Sequence, residues 1–219
     1  MSGPVRSVTI LGSTGTIGAN TLEVIRRSAG RFRVAGLACR GSVEAVARQI
    51  AEFRPGAVYI ERLAPELAAA FPAVRFLSGE GGLEELAVLD GTDIVMAAIP
   101  GIRSLPAVLA AVERGRTVCL ATKEVLVAAG TLVTAAAARA GARILPVDSE
   151  HNAVFQLLEK ERKDDVARIV LTASGGPFLR RPDVSGVTRE DVLAHPVWKM
   201  GAKITVDSAT LMNKGLELI

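Results

Sequence analysis

Residues 8–18, with the sequence VTILGSTGTIG, decide the fold of this 219-residue chain. Four apolar or β-branched residues, typical of a buried strand, run into three glycines at a spacing of three, and a helical pattern follows. In such a turn Gly12 permits a tight bend, Gly15 lets backbone N–H groups approach a pyrophosphate, and Gly18 lets helix and strand pack closely. A merely structural turn is the alternative. The position at the first strand-to-helix junction favours a dinucleotide-binding loop made of Gly12, Ser13, Thr14, Gly15, Thr16, Ile17 and Gly18.

Short β-rich runs and helical patterns alternate through the first 147 residues. The predicted strands cover residues 6–11, 32–38, 57–60, 74–77, 93–98, 117–121 and 143–147. The predicted helices include residues 17–28, 43–53, 105–114 and 131–140. Residues 94–99 are apolar without interruption, as in a parallel sheet covered on both faces. The sequence therefore predicts a Rossmann-like α/β domain with a doubly wound, mostly parallel sheet over residues 1–147.

The alternation loosens after residue 147, and we expect a second domain over residues 148–219. It is predicted to contain helices at 152–159 and 208–219, strands at 167–172 and 203–206, a charged connector at 160–165 and a Gly/Pro-rich stretch at 174–182. Thr188 and Asp191 have the spacing of a capping box, which predicts a short helix ending near Ala194.

Composition and charge narrow the class of protein. The chain is 49% hydrophobic, and 26 basic against 23 acidic residues give a net charge of +3. The basic residues are scattered, so nucleic acid is not an expected partner. No apolar run has membrane-spanning length and the N-terminus lacks a signal-peptide pattern, so we expect a cytoplasmic protein without membrane contact. Cys39 and Cys119 are expected to be buried free thiols.

The end of the second predicted strand bears on the choice of nicotinamide. An acidic residue at this position would hold the ribose hydroxyls of NADH and repel a 2′-phosphate. Here Arg40 and Ser42 follow the strand, with no acid before Glu44. The sequence thus favours NADPH, with Arg40 as a cofactor contact; an ordinary solvated arginine is the alternative.

Acidic residues follow the seventh predicted strand. If the chain stays extended, Asp148 and Glu150 point the same way, and a divalent cation would neutralise them. A helix N-terminus with stabilising acids is the alternative, and both interpretations remain open. Lys123, one of six lysines, reaches the same sheet edge and is either a compact charge near substrate or cofactor, or a solvated side chain.

The last predicted helix combines hydroxyl, amide and ammonium groups in residues 207–217. A helix start of this kind suits phosphate binding. Asn213 and Glu217 are four residues apart and share a helical face, so the helix could present both a phosphate contact and a metal carboxylate.

Six motifs together resemble the 1-deoxy-D-xylulose 5-phosphate reductoisomerase family. The motifs are GSTGTIG (12–18), LPVDSEHN (145–152), ASGGPF (173–178), HPVWKMG (195–201), VDSAT (206–210) and MNKGLE (212–217). The first motif is generic, whereas the later ones are specific in combination. The resemblance extends over the whole chain.

The resemblance implies roles for individual residues. Ligands of Mg²⁺ or Mn²⁺ would be Asp148, Glu150 and Glu217, which with Lys123 form the catalytic set. Phosphate contacts would come from Ser174, His195, Ser208, Asn213 and Lys214, and other substrate contacts from Ser149, Glu150, Lys123, Trp198 and Glu217, with His151 close by. Lys123, Glu124, Met200 and Gly201 would add to the cofactor site, and residues 195–201 would form a loop that closes over the substrate.

The implied reaction has two stages. The phosphorylated ketose is rearranged to a branched aldehyde with the help of the metal, and NADPH reduces this aldehyde to 2-C-methyl-D-erythritol 4-phosphate in non-mevalonate isoprenoid biosynthesis. A catalytically inactive NADPH-binding fragment or paralogue is the alternative. Another oxidoreductase, such as a semialdehyde dehydrogenase, is disfavoured because neither cysteine has the motif of a catalytic thiol. Members of the family are usually homodimers.

Some positions depart from the family pattern. They are residues 39–42 (CRGS), residues 99–104 (IPGIRS), Thr122 and Lys199. Family members also continue well beyond the position of Ile219, two residues after Glu217. We therefore expect a truncated piece of a reductoisomerase with an incomplete α+β catalytic domain.

Overall fold

The computed structural model describes residues 4–62, 64–198 and 200–219. The described residues form two compact units, which divide between Asp148 and Ser149. The strands of the first unit are β1 (Arg6–Leu11), β2 (Phe32–Cys39), β3 (Ala57–Ile60), β4 (Arg75–Leu77), β5 (Ile94–Ala97), β6 (Thr117–Leu120) and β7 (Arg143–Pro146). Its helices are α1 (Thr16–Arg27), α2 (Val43–Phe53), α3 (Pro65–Ala70), α4 (Gly82–Ala87), α5 (Leu105–Glu113) and α6 (Glu124–Ala140).

The strands form one parallel sheet in the order β4-β3-β2-β1-β5-β6-β7. The chain builds outward from β1 in one direction through β4, then returns to the other side of β1 with β5. Ligands of such sheets bind at the carboxyl ends of the strands where the order reverses, here between β1 and β5. The predicted doubly wound parallel sheet is confirmed.

Alternate residues of β1 connect the sheet to two hydrophobic layers. Leu11 packs in a cluster with Leu86 of α4, Val108 of α5 and Val133 of α6. Ile10, its neighbour, packs in a second cluster. That cluster contains Leu22 and Ile25 of α1, Val46 and Ile50 of α2, and Leu67 of α3. Since burying each such side chain contributes about 1.5–3 kcal/mol, helices on both faces are needed to stabilise the sheet.

Two glycines allow α1 to start immediately beside β1. Gly12 has a φ of +94°, and a Cβ on it would lie 2.8 Å from the carbonyl oxygen of Ala98. A Cβ on Gly18 would lie 2.2 Å from the carbonyl oxygen of Gly12. The turn and the first turn of α1 therefore pack backbone against backbone, which only glycine permits.

The sequence located the first unit's strands to within about two residues but missed α3 and α4. The helix predicted at 131–140 begins earlier, at Glu124, and is interrupted at Ala129 by non-helical backbone angles.

The second unit contains α7 (Ser149–Leu158), α8 (Arg189–Leu193), α9 (Ala202–Ala209) and α10 (Met212–Leu218), with a short 3₁₀ helix at Lys163–Asp165. The predicted capping box of α8 is confirmed, because Thr188 and Asp191 exchange both hydrogen bonds.

Both strands predicted in the second unit are wrong. Residues 167–172 have no regular structure, and Val170 is 70% exposed, since no strand within 149–198 or 200–219 pairs with this segment. Residues 203–206 belong to α9, where Thr205 is buried and its hydroxyl donates to the carbonyl of Gly201. The helix predicted at 208–219 is broken at Leu211, whose φ of 59° separates α9 from α10.

Both cysteines are free thiols, as predicted. Cys39 is buried in β2, whereas Cys119 in β6 is only partly buried, and burial raises the pKa of each thiol. None of the helices in the described ranges has the length and apolar character to cross a membrane.

The close contact at Gly18 generates a stability prediction. Gly18→Ala should lower the free energy of unfolding by about 1–3 kcal/mol, because its Cβ overlaps the Gly12 carbonyl. Gly130→Ala is the matched control, since Gly130 is also helical but has nothing within 4 Å of a Cβ. The control should change the free energy of unfolding by less than about 0.5 kcal/mol, because Gly130 follows the break at Ala129 and its Cβ would meet no other atom. Equal effects in urea titrations would contradict the contact as the cause.

Candidate functional site

The glycine loop lies where the sheet order reverses. Its Ser13 forms hydrogen bonds through both its backbone and its side chain. The Ser13 amide donates to the carbonyl of Ala38 at 2.8 Å, and its hydroxyl donates to Oε1 of Gln49 at 2.7 Å. Gln49 Nε2 donates back to the Ser13 carbonyl at 2.9 Å. Ser13 therefore holds the loop against β2 and α2, and Gln49 is a supporting residue that sequence reasoning missed.

The start of α1 presents backbone donors. Gly15 is the N-cap, and no acidic residue lies in the first turn. The first N–H groups of a helix have no partner within the helix, and here they belong to the exposed Thr16 and Ile17 and to the buried Gly18. With the partly exposed Thr14, this end of the helix suits an anion.

Arg40 belongs to a charged cluster at the same sheet edge. Its Nε lies 3.1 Å from Oε2 of Glu61, and Nη2 of Arg103 lies 2.8 Å from Oε1 of the same carboxylate. The hydrogen bond from Arg103 lowers the pKa of Glu61. Neither Glu61 nor Arg103 was among the predicted site residues, because their pairing is not visible in the sequence.

Lys123 is a buried, paired residue, so the solvated alternative is wrong. Its side chain is 8% exposed, and Nζ lies 2.6 Å from Oδ2 of Asp148, the last residue of the first unit. Thr122 anchors the preceding turn by donating to the carbonyl of Ile99 at 2.7 Å. Glu124 follows as the first residue of α6 and is half-buried.

In the second unit, one ammonium group joins two carboxylates. Nζ of Lys214 lies 3.1 Å from Oε1 of Glu150 and also pairs with Glu217, whose side chain is fully buried. Oxygen atoms of the two carboxylates lie within 4.8 Å of each other. Asn213 Nδ2 donates to Oε1 of Glu217 at 2.7 Å, which confirms their shared helical face.

Hydrogen bonds favour the charged forms of Glu150 and Lys214. Burial raises the pKa of Glu150, but hydrogen bonds from Ser149 and Lys214 outweigh it, so the net pKa is lowered. Burial likewise lowers the pKa of Lys214, but its bonds to Glu217 and Glu150 outweigh it and the net pKa is raised.

The helix containing Glu150 begins earlier than predicted. Because α7 starts at Ser149, the chain does not stay extended through residues 148–150, and Glu150 lies in the first helical turn. Ser149 donates to Oε2 of Glu150 at 2.6 Å. His151 Nε2 lies 3.0 Å from the carbonyl oxygen of Glu217, which connects α7 to the end of α10.

The donor set of the second unit fits a divalent cation. Glu150 and Glu217 offer hard oxygen ligands, and the Lys214 ammonium already occupies the position of a neutralising positive charge between them.

His195 organises the loop that follows α8. Its Nδ1 accepts hydrogen bonds from the amides of Val197 at 3.2 Å and Trp198 at 2.9 Å, which assigns the neutral ring's proton to Nε2. Nε2 then donates to Oγ of Ser174 at 3.2 Å. The Ser174 oxygen also accepts from the amide of Gly176 at 3.4 Å, so the Ser174 hydroxyl proton remains for another acceptor.

The predicted residues of this loop are brought together in part. His195, Trp198 and Met200 line a shallow cavity of about 290 Å³ with Thr205 of α9. Gly176 lies against Ser208, because a Cβ there would be 2.6 Å from the Ser208 carbonyl oxygen. Gly201 is the N-cap of α9. The departure noted at Lys199 lies outside the described residues.

The parallel sheet, the order reversal and the glycine loop define a Rossmann-like α/β protein. Residues 8–130 match the family model for 1-deoxy-D-xylulose 5-phosphate reductoisomerase, and residues 144–219 match the model for its C-terminal domain. The chain belongs to the 1-deoxy-D-xylulose 5-phosphate reductoisomerase family, as the motifs predicted.

Individual relatives support the same family assignment. Reductoisomerases of Moorella thermoacetica and Thermus thermophilus are 50% and 51% identical over 98% of this chain. A crystal structure of DOX-P reductoisomerase in complex with NADPH, fosmidomycin and magnesium is 38% identical, with a TM-score of 0.91 over 98% of this chain. The Zymomonas mobilis enzyme in complex with NADPH is 42% identical, with a TM-score of 0.88. This chain spans 57% of the length of each of these four proteins.

The Lys214 cluster generates a pH prediction. Lys214→Gln should lower the free energy of unfolding by about 2 kcal/mol at neutral pH, because it leaves two carboxylates without their ammonium partner. The contribution of the Glu150 pair is fully present between pH 4.5 and 10.5, the usual pKa values of the two groups. It is lost as pH falls through the lowered pKa of Glu150 or rises through the raised pKa of Lys214.

Urea unfolding from pH 3 to 8, followed by the fluorescence of Trp198, measures this difference. Lys203→Gln is the control, because its pair with Asp207 lies in the same unit and Lys203 is 44% exposed. A pH-independent loss in Lys214→Gln, or an equal loss in the control, would argue against the assigned pairing.

Proposed function

We propose that this chain is an NADP-dependent, divalent-metal-requiring oxidoreductase. It would convert 1-deoxy-D-xylulose 5-phosphate to 2-C-methyl-D-erythritol 4-phosphate in isoprenoid biosynthesis, as a cytoplasmic homodimer. The observation that carries the proposal is the Glu150–Lys214–Glu217 cluster in a chain of this family. Within one helical unit, this cluster combines carboxylates that suit a hard cation with a lysine that suits a phosphate group.

Residues 1–147 would bind NADPH. Gly12 and Gly18 form a backbone cradle that any Cβ would fill, and the free end of α1 suits the pyrophosphate. Arg40, after β2, would contact the 2′-phosphate. Lys123 and Glu124 would add cofactor contacts from this unit. In residues 148–219, the family resemblance assigns cofactor contacts to Met200 and Gly201.

Residues 148–219 would hold the metal and the substrate. Glu150 and Glu217 would be ligands, and Asp148 would complete the set because it precedes Glu150 by only two residues in the chain. When bound, Mg²⁺ or Mn²⁺ supplies Lewis acidity to the oxygens of the hydroxyketone, and NADPH supplies the hydride that reduces the rearranged aldehyde.

Two lysines would change partners as the site fills. Lys214 and Lys123 each hold carboxylates that the proposal assigns to the metal. Once released from them, Lys214 could reach the substrate phosphate, and Lys123 could hold a substrate oxygen. Each ammonium would carry its charge to a developing anion in a partly buried site, where such a charge is most effective.

The phosphate would be anchored by Ser174, His195, Ser208, Asn213 and Lys214. The geometry around Ser174 supports this assignment, because its oxygen already accepts from His195 and Gly176 while its proton is left to donate. Trp198 and Met200 line the adjoining cavity and would exclude water as the loop closes.

Metal-ligand variants test the proposal. Asp148→Asn and Glu217→Gln should each lower the rate of NADPH oxidation, measured with 1-deoxy-D-xylulose 5-phosphate and Mg²⁺, by about 100-fold or more. Chelation of the metal should abolish turnover in the parent chain. NADPH binding, measured by fluorescence, should persist because the glycine loop is unchanged.

Glu190→Gln is the matched control, since Glu190 is an exposed acid in the first turn of α8. Full activity of Asp148→Asn and Glu217→Gln would contradict the assignment of these residues as metal ligands. NADPH binding without turnover at saturating metal and substrate would instead identify this chain as an inactive binding module.

A second set of variants tests the phosphate anchor. Ser174→Ala should raise KM for the substrate about tenfold, through loss of a hydrogen bond to a charged group. Ser185→Ala, in an exposed turn held by Asp183, should leave KM unchanged. Equal kinetics in both variants would remove Ser174 from the substrate site.

A further inference from the structure

We infer that Arg103 is a second 2′-phosphate-binding residue, which shares the phosphate with Arg40 and sets the preference for NADPH over NADH. Glu61 is the carboxylate that occupies both guanidinium groups when no phosphate is bound. This inference rests on the proposed binding of NADPH, and nothing in the family resemblance assigned Glu61 or Arg103 a role.

The sheet topology places these residues around the cofactor loop. Cys39 of β2 and Ile60 of β3 are paired, so Arg40 and Glu61 follow neighbouring strands at the same edge. Arg103 comes from the turn between β5 and α5, on the other side of β1. The Arg103–Glu61 ion pair, at 2.8 Å, therefore extends across the strand ends that flank the glycine loop.

The chemistry of the cluster suits a phosphate monoester. Two guanidinium groups converge on one carboxylate, at 3.1 and 2.8 Å, as they would on a phosphate. Arg40 is 83% exposed and Arg103 is 56% exposed, so both remain accessible to a ligand. The 2′-phosphate is the group that distinguishes NADPH from NADH, and the end of β2 is where that position is read.

Charge counting gives Glu61 an opposing role. With Glu61 the cluster carries +1, and without it +2, whereas a phosphate monoester carries about −1.5 to −2 at pH 7. The Arg103 hydrogen bond lowers the pKa of Glu61, so this residue is a charged competitor at neutral pH. Because the ion pairs are exposed and therefore weak in water, a dianionic phosphate can displace the carboxylate.

Binding of the reduced nucleotides to the 219-residue chain tests the inference without turnover. Dissociation constants for NADPH and NADH are measured by nicotinamide fluorescence, and those for 2′,5′-ADP and ADP by calorimetry. Arg103→Gln should weaken NADPH and 2′,5′-ADP about tenfold and leave NADH and ADP within about twofold. Glu61→Gln should tighten NADPH and 2′,5′-ADP about threefold, because a like charge is removed.

Two further variants sharpen the comparison. Arg103→Lys should fall between the parent and Arg103→Gln, because it retains the charge but loses the two-pronged geometry. Arg75→Gln is the matched control: Arg75 is an exposed arginine of the same sheet, paired with Glu85 at the amino end of β4. It should change none of the four constants.

Each outcome of these binding measurements supports or overturns the role of Arg103. Three outcomes would overturn the inference and leave the proposed function intact. In Arg103→Gln, they are an equal loss of NADPH and NADH binding, or no loss of either. In Glu61→Gln, the outcome is weaker NADPH binding. If the parent chain binds none of the four nucleotides, the proposed cofactor role fails as well. Unchanged circular dichroism in every variant excludes misfolding as the cause.

Discussion

The backbone contact between Gly12 and Gly18 is the constraint on which the first unit depends. With no Cβ at either residue, α1 can begin at Thr16, close to the end of β1 at Leu11. Ser13 and Gln49 then fix the loop to the neighbouring helix. The same edge receives Arg40 and Lys123 because all the strands of the sheet run parallel. One steric requirement thus positions the groups proposed for cofactor binding.

The second unit is organised by charge compensation more than by a hydrophobic core. Its helices are short, and few of its side chains are buried. Glu217 is fully buried nonetheless, and a buried carboxylate requires a partner. Lys214 provides that partner and also reaches Glu150, so one ammonium ties the start of α7 to α10. His151 adds a second link through the Glu217 carbonyl.

Predictions made from the sequence are correct where the local residue pattern and the tertiary structure agree. The strands of the first unit are mostly apolar segments, and each lies close to its predicted position. Two strand predictions are wrong: residues 167–172 have no strand partner among the described residues, and residues 203–206, although rich in β-branched side chains, lie in α9. The sequence predicted Arg40 as a site residue but not Glu61, because only the sheet order shows that the acid after β3 lies beside Arg40. The domain assignments and site roles remain predictions.

The lysine–carboxylate pairs have a thermodynamic consequence for ligand binding. Lys214 cannot hold Glu150 and Glu217 and at the same time serve a phosphate at full strength. Under the proposed function, a cation that took its place would release it for the anion, and an anion that attracted it would leave the carboxylates to the cation. Each ligand would therefore raise the affinity for the other by the same factor, as linkage requires. Metal and phosphorylated substrate would then enter the site as a cooperative pair.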